Sequence, residues 1–211
     1  MRTICNSHAF WVFCPFVVSL YINTRLDAHL INNGDNLSIK KVLATNETLW
    51  LFWQTDRNYF DVCDQTHCII EKETCIHNVK HGLSETEYNY TQIMLLETTQ
   101  VGTNYTGVFV NDTMEKSMNV TAIDGQDEPR LYTLQYTGDP YSNCIVFFIS
   151  YLVPRISFEV QTCEMYMVES KVDDGPSESC MIFFKERCKK VIYKPYHKSC
   201  KQRLSSKIVT N

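Results

Sequence analysis

Hydrophobic and polar residues alternate along much of the chain between residues 47 and 169, with the period of two that is typical of half-buried β-strands. Turn-forming glycine, asparagine, aspartate and proline residues divide this region into eight segments. The segments are residues 47–55, 66–76, 87–96, 103–111, 116–124, 130–137, 143–152 and 157–169. Eight consecutive strands without intervening helices predict an up-and-down antiparallel barrel, since closure removes the exposed edges. A two-sheet sandwich is the alternative.

Two helices are predicted to flank the strands. The first covers residues 38–45, where Ile39, Val42 and Leu43 recur at helical spacing behind Ser38, a favourable N-cap residue. The second follows Pro176 and continues to about residue 190, and its apolar side chains would pack on the barrel wall. The predicted fold is all-β: an eight-stranded antiparallel up-and-down barrel with a short N-terminal helix and a C-terminal helix on its wall.

The first 24 residues have the organisation of a secretory signal peptide. Arg2 supplies a positive n-region, residues 9–20 form a short apolar core, and polar residues follow. We expect residues 1–24 to be removed and residues 25–211 to form a single domain, a length that is ample for one core. No apolar run is long enough to span a bilayer, so we expect no membrane span. The signal peptide directs the chain to the secretory pathway, so we expect the mature protein to be extracellular.

Cysteines and sequons indicate an oxidising compartment. Two of the ten cysteines lie in the expected signal peptide, and the remaining even number predicts four disulfides. A zinc site near residues 63–77 is the alternative, but the spacings lack a C-x-x-C motif, so we expect no metal. Six N-x-S/T sequons support the same compartment. The expected glycosylation sites are Asn36, Asn46, Asn89, Asn104, Asn111 and Asn119.

Charge is unevenly distributed. The formal net charge is −4, yet residues 185–211 carry nine lysines or arginines against one acid. This basic C-terminal tail is either a solvated surface or a patch for glycosaminoglycan or anionic lipid, and the sequence leaves both open. We expect no nucleic-acid partner, no cofactor and a monomer.

Strand alternation and the sequons together predict which side chains face the barrel interior, because a glycosylated asparagine must face solvent. Glu164 lies on an otherwise apolar inward face, where a carboxylate needs a partner, a ligand or water. In the first strand, either Leu51 and Trp53 or Trp50 and Phe52 line the interior. The expected ligand-contacting residues are Leu51, Trp53, Val120, Tyr132, Leu134, Tyr136, Ile145, Phe147, Ile149, Phe158, Val160, Glu164 and Tyr166.

The sequence carries no catalytic signature. The motifs Gly-x-Ser-x-Gly and His-Glu-x-x-His and a phosphate-binding glycine loop are absent, and only 7 of the 211 residues are glycine. We therefore expect a binding protein and assign no catalytic residue.

The C-terminal half of the chain resembles the signature of the tick salivary lipocalins, the histamine-binding-protein-like family. The matching pattern consists of Cys144-x-Val146, Glu164-Met-Tyr166, Cys180 and Phe184-Lys-Glu-Arg-Cys188. The resemblance covers the mature chain, and residues 47–53 with the cysteine-rich stretch 63–75 look most like the japanin group. It implies the disulfides Cys68–Cys200, Cys144–Cys180 and Cys163–Cys188 and, with those cysteines taken, Cys63–Cys75.

The resemblance also implies a secreted barrel that captures a small host molecule or modulates host immune cells. Members bind amines, leukotrienes, fatty acids or sterols, some bind complement, and the japanin group is associated with cholesterol and with dendritic cells. The amine-binding members carry an aspartate where this chain has Ile145, whereas Glu164 and Tyr166 remain. We therefore expect a sterol or fatty acid as the ligand. A biogenic-amine scavenger and a receptor- or complement-binding scaffold are the alternatives.

Overall fold

The computed structural model describes residues 37–64, 66–111, 115–138, 144–153 and 161–205, without the side chains of residues 204 and 205. The helices are α1 (Ile39–Leu43), α2 (Glu178–Arg187) and α3 (Ser199–Ser205). The strands are β1 (Leu49–Gln54), β2 (Tyr59–Cys63), β3 (Cys68–Leu83), β4 (Glu87–Leu96), β5 (Thr99–Phe109), β6 (Ser117–Ala122), β7 (Arg130–Thr137), β8 (Ile145–Tyr151) and β9 (Thr162–Val168). The expected signal peptide, Asn36, Phe158 and Val160 lie outside the described residues.

The strands form a closed antiparallel barrel in which sequence neighbours pair from β2 to β9. Strand β1 closes the barrel, because it pairs with β9 on one side and with β3 on the other, at Leu49 with Asn78 and Trp50 with His77. Eight strands, β1 and β3 to β9, make up the wall. The prediction of an eight-stranded up-and-down barrel is confirmed, and the sandwich alternative is wrong because β1 joins the two ends of the sheet.

An extra strand, β2, was not predicted. It forms a hairpin with the start of β3, from Tyr59 opposite Lys72 to Cys63 opposite Cys68. Most of its side chains are exposed on both faces, so it lacks the in-out alternation that reveals a strand. Strand β3 also continues past residue 76, where the sequence predicted its end. The prediction stopped too early because a bulge at Cys75, with φ of 56°, interrupts the alternation of inward and outward side chains there.

Two further bulges change which face a side chain occupies. The β1–β9 register shifts between Leu51 and Trp53, and the β7–β8 register shifts between Leu134 and Tyr136. One extra residue reverses the alternation of the positions that follow it. Leu51 and Leu134 therefore face the interior, whereas Trp53 and Tyr136 belong to a cluster on the outer wall. The prediction that Trp53 and Tyr136 face the interior is wrong.

Helix α1 covers one end of the barrel, which we call the closed end. Its apolar residues Ile39, Val42 and Leu43 are buried in the interior core together with Leu37. The backbone N–H of Ile39 donates to the carbonyl of Glu115 in the loop between β5 and β6, at 3.0 Å. Helical spacing thus puts one face of this short helix against the core, as the sequence predicted.

Helix α2 packs on the outer wall as predicted. Ser177 accepts a hydrogen bond from the backbone N–H of Cys180 at its N-terminus, and Phe183 and Phe184 are buried against Trp53 and Tyr136. Helix α3 was not predicted. Every helix among the described residues is too short or too polar to cross a membrane.

Four disulfides are present, and two of them agree with the pattern that the resemblance implied, Cys144–Cys180 and Cys163–Cys188. The other two are Cys63–Cys68 and Cys75–Cys200, so the expected bonds Cys68–Cys200 and Cys63–Cys75 are wrong. Cys63 and Cys68 are direct partners in the unpredicted hairpin, with Cα atoms 4.0 Å apart. Cys75 instead donates its backbone N–H to Pro195 of the C-terminal segment, which brings it to Cys200.

Candidate ligand-binding site

The end of the barrel opposite α1, which we call the open end, contains a cavity of about 350 Å³. Strands β3, β4, β5, β7 and β8 and the loop between β6 and β7 supply its lining. The lining residues are Glu73, Gln92, Met94, Thr103, Tyr105, Gln126, Asp127, Glu128, Arg130 and Tyr151. Three carboxylates and one guanidinium therefore line the same cavity. Its volume falls within the usual range for small-molecule sites, roughly 300–1,000 Å³.

Arg130 begins β7 and its side chain is 17% exposed. Its Nη2 atom lies 3.8 Å from Oδ2 of Asp127 and donates to the hydroxyl of Tyr105 at 3.4 Å. The guanidinium also lies 5.6 and 5.9 Å from the ring centroids of Tyr105 and Tyr132. Interactions with Tyr132 first and then Glu164 raise the pKa of Arg130, so it remains a cation whose nearest counter-ion is Asp127.

Glu73 is the half-buried carboxylate of the cavity. Its backbone is fixed by Asn58, which exchanges hydrogen bonds of 2.9 Å with it. Burial raises the pKa of Glu73, and the nearby carboxylates Asp56 and Asp127 raise it further, against a weaker opposing effect of Arg130. Among the described residues, no cationic side chain lies within ion-pair distance of its carboxylate. Arg130 therefore balances the charge of Asp127, and the charge of Glu73 is left without a cation beside it.

Glu164 lies deeper in the barrel and is 7% exposed. The hydroxyl of Tyr166 donates to its Oε2 atom at 2.8 Å. Burial raises the pKa of Glu164, although Arg130 and the nearby hydroxyls of Tyr166 and Tyr132 act in the opposite direction. The hydroxyl of Tyr132 is also buried there, and it makes no hydrogen bond within the described part of the chain.

Most of the expected ligand-contacting residues do lie in the barrel interior, but below the cavity. These residues are at most 2% exposed and pack on one another: Leu51, Val120, Tyr132, Leu134, Ile145, Phe147, Ile149 and Tyr166. These eight residues form an apolar and aromatic core, and Glu164 is the one expected residue in the interior that carries a charge. None of the eleven expected residues that the structure describes appears among those that line the open-end cavity.

The sequence analysis missed Glu73, Asp127 and Arg130. Glu73 lies between the β2 hairpin and the bulge at Cys75, where alternation gives no orientation. Arg130 occupies an interior position by the same alternation as Tyr132, and an inward-facing arginine at a strand end is a signal that the sequence did contain.

A group that could hold a metal occurs where Cys75, Cys200 and His197 meet, with Nε2 of His197 3.7 Å from Sγ of Cys75. Both sulfurs belong to one disulfide and are not thiolate ligands in this state.

The closed eight-stranded barrel with a helix on its wall defines the lipocalin fold. The family model described as "Tick histamine binding protein" matches residues 28–202. The chain therefore belongs to this family, and it is a tick salivary lipocalin. No curated protein sequence matches it.

One solved structure shows the same fold at low sequence identity, and a second gives a weaker match. Japanin from Rhipicephalus appendiculatus, bound to cholesterol in an orthorhombic crystal form, is 13% identical with a TM-score of 0.52. That match covers 78% of this chain and 100% of japanin. The siderocalin Ex-FABP, described as having dual ligand specificities, is 12% identical with a TM-score of 0.48, over 75% of this chain and 97% of Ex-FABP. Small-ligand binding is the general function of such barrels.

Proposed function

We propose that the protein captures a small organic cation, such as a protonated biogenic amine, in the open-end cavity. The observation that carries this proposal is that Arg130 already faces Asp127, whereas Glu73 has no cationic side chain within ion-pair distance among the described residues. An ammonium group would supply the counter-ion that Glu73 lacks. A charge-assisted hydrogen bond of this kind contributes about 1.5–3 kcal/mol.

The electrostatics of the cavity disfavour a ligand anion. A fatty-acid carboxylate could reach Arg130, but Glu73 lines the same space and would repel it. The aromatic ring of Tyr151 also lines the cavity, where an organic cation could pack on it. The family model's description, tick histamine binding protein, agrees with this class of ligand.

Removal of the Glu73 charge tests the proposal. Glu73→Gln keeps the shape of the side chain, and we expect it to weaken binding of histamine or serotonin about tenfold, or about 1.4 kcal/mol, in isothermal titration calorimetry. Glu186→Gln is the matched control. Glu186 is exposed on α2, and its substitution changes the net charge by the same amount as Glu73→Gln. Equal amine affinities for Glu73→Gln and the parent protein would refute the role of Glu73.

The pH dependence of binding provides a second readout. Because Glu73 must be ionised to pair with an amine, affinity should fall as the pH is lowered through its raised pKa. Glu73→Gln should lose that part of the pH dependence, whereas Glu186→Gln should keep it.

A neutral lipid, with a sterol ahead of a fatty acid, is the second candidate. The observation that favours it is the buried Tyr132 hydroxyl, which lies near Glu164, makes no hydrogen bond among the described residues and could bond to one sterol hydroxyl. Isoleucine at position 145 agrees with this alternative. The eight expected interior side chains are at most 2% exposed and pack on one another, so a sterol could enter only if they moved apart.

Secretion and action on host defence complete the proposal. Four disulfides suit an oxidising extracellular compartment. A salivary barrel that removes a signalling amine would weaken the host response to feeding. If the protein bound neither amines nor lipids, direct binding of a receptor or of complement would become the favoured function.

A further inference from the structure

Three of the sequons lie on one outer wall of the barrel. Asn89, Asn104 and Asn119 belong to the neighbouring strands β4, β5 and β6, and each points away from the interior. Asn104 and Asn119 are exposed, and Asn89 is half-buried. Neighbouring strands are about 4.8 Å apart and residues rise about 3.4 Å along a strand, so the three asparagines lie within roughly 15 Å of one another.

Two of these sequons face each other in register. Asn89 is opposite Thr106 and Thr91 is opposite Asn104, so each asparagine meets the threonine of the other sequon. The Thr106 hydroxyl donates to Oδ1 of Asn89 at 2.8 Å, and the Thr91 hydroxyl donates to Oδ1 of Asn104 at 2.5 Å. The intervening residues Tyr90 and Tyr105 stack inside the barrel. Each pairing uses the side-chain oxygen of the asparagine, and neither amide nitrogen donates a hydrogen bond among the described residues.

The outer wall of these strands is almost uncharged. Its outward positions are Glu87, Asn89, Thr91, Ile93, Gln100, Gly102, Asn104, Thr106, Val108, Asn119 and Thr121. Glu87 is the one charged residue in this set. Soluble proteins usually keep about 25–35% charged residues on their surfaces, so a sheet face of this composition needs another means of solvation. Oligosaccharides are bulky and strongly hydrated, and they supply it.

We propose that Asn89, Asn104 and Asn119 all carry N-linked oligosaccharides, which together cover the outer wall of β4, β5 and β6. In each transfer, Nδ2 of asparagine forms a bond to the anomeric carbon of a lipid-linked oligosaccharide diphosphate. The bond from that carbon to the phosphate oxygen breaks, the lipid diphosphate leaves with the electron pair, and the amide proton passes to solvent. Transfer precedes pairing of the strands, since the folded sheet holds each sequon in an extended conformation. The covered wall is then excluded from contacts with protein partners.

Site mapping of protein secreted by eukaryotic cells tests the assignment. Peptide-N-glycosidase in ¹⁸O-water converts each glycosylated asparagine to labelled aspartate, and peptide mass spectrometry should find the label at all three positions. Thr91→Val, Thr106→Val and Thr121→Val should each remove one oligosaccharide from the intact mass. Thr133→Val, on the outward face of β7 and outside any sequon, should leave the mass unchanged. An absence of label at any of the three asparagines would overturn the proposal.

Enzymatic removal of the oligosaccharides tests the coverage of the wall. We expect the ammonium sulfate concentration that precipitates the protein to fall after deglycosylation, because the neutral wall becomes exposed. An unchanged precipitation midpoint would overturn the claim that the oligosaccharides cover this wall. Amine affinity should stay the same, since the oligosaccharides attach outside the barrel, so this outcome is independent of the proposed function.

Discussion

Two tyrosines near Glu164 differ in the hydrogen bonding of their hydroxyl groups. The Tyr166 hydroxyl donates to Glu164, whereas the buried Tyr132 hydroxyl makes no hydrogen bond among the described residues. We expect Tyr166→Phe to lower the free energy of unfolding by about 1 kcal/mol and Tyr132→Phe to leave it unchanged or raise it by about 1 kcal/mol. Urea denaturation of the pair is a matched comparison. A loss of stability in Tyr132→Phe equal to that in Tyr166→Phe would contradict the assigned hydrogen bonds.

The charge of Glu164 should make stability depend on pH. Because burial raises its folded-state pKa above the ordinary value of 4.5, the folded state holds the proton more tightly than the unfolded chain. Below the ordinary pKa, Glu164 is protonated in both the folded and the unfolded state, and the free energy of unfolding does not depend on its charge. As the pH rises through the higher folded-state pKa, Glu164 must ionise inside the barrel, and the free energy of unfolding falls. We expect Glu164→Gln to melt at a higher temperature than the parent protein at pH 7, with a difference that vanishes near pH 4 in scanning calorimetry.

The exposed residue Glu186 provides the control for this experiment, since Glu186→Gln should give the same small difference in melting temperature at both pH values. A melting temperature for Glu164→Gln below that of the parent protein at pH 7, with the difference vanishing near pH 4, would show instead that the ionised carboxylate stabilises the fold.

At the scale of elements, the sequence predicted the barrel, α1, α2 and most inward faces, because alternation and helical spacing are local signals. It did not predict which side chains face the interior after a bulge. Trp53 and Tyr136 each follow an inserted residue that depends on the pairing with a neighbouring strand. The same limit explains β2, most of whose side chains are exposed, and the disulfide Cys63–Cys68, which depends on the β2–β3 hairpin.

The disulfides should differ in how much they stabilise the fold. Cys75–Cys200 closes a chain segment with a sequence separation of 125, and Cys63–Cys68 one of 5. On the loop-entropy estimate, the first contributes about 5 kcal/mol and the second about 2 kcal/mol. We expect the double serine variant of Cys75 and Cys200 to lose far more stability in guanidinium denaturation than that of Cys63 and Cys68. Equal losses would contradict the role of Cys75–Cys200 in fastening the C-terminal segment to the barrel.

At the scale of the whole molecule, the sequence predicted a ligand in the apolar interior, whereas the cavity lies above that interior and is polar. The core positions were predictable because the alternation of apolar and polar residues within each strand shows which of its faces is buried. The cavity was not, because it combines the ends of five strands with the loop from β6 to β7, and its charge balance depends on which ends meet. Glu73 and Arg130 are 57 positions apart in sequence and meet only in the closed barrel.

Titration calorimetry of the parent protein with histamine, serotonin, oleate and cyclodextrin-delivered cholesterol tests the central claim most directly. Our account predicts saturable heats with at least one amine and no uptake of cholesterol or oleate, because the open-end cavity is acidic and the apolar interior is filled. Binding of cholesterol or oleate without any response to the amines would contradict it.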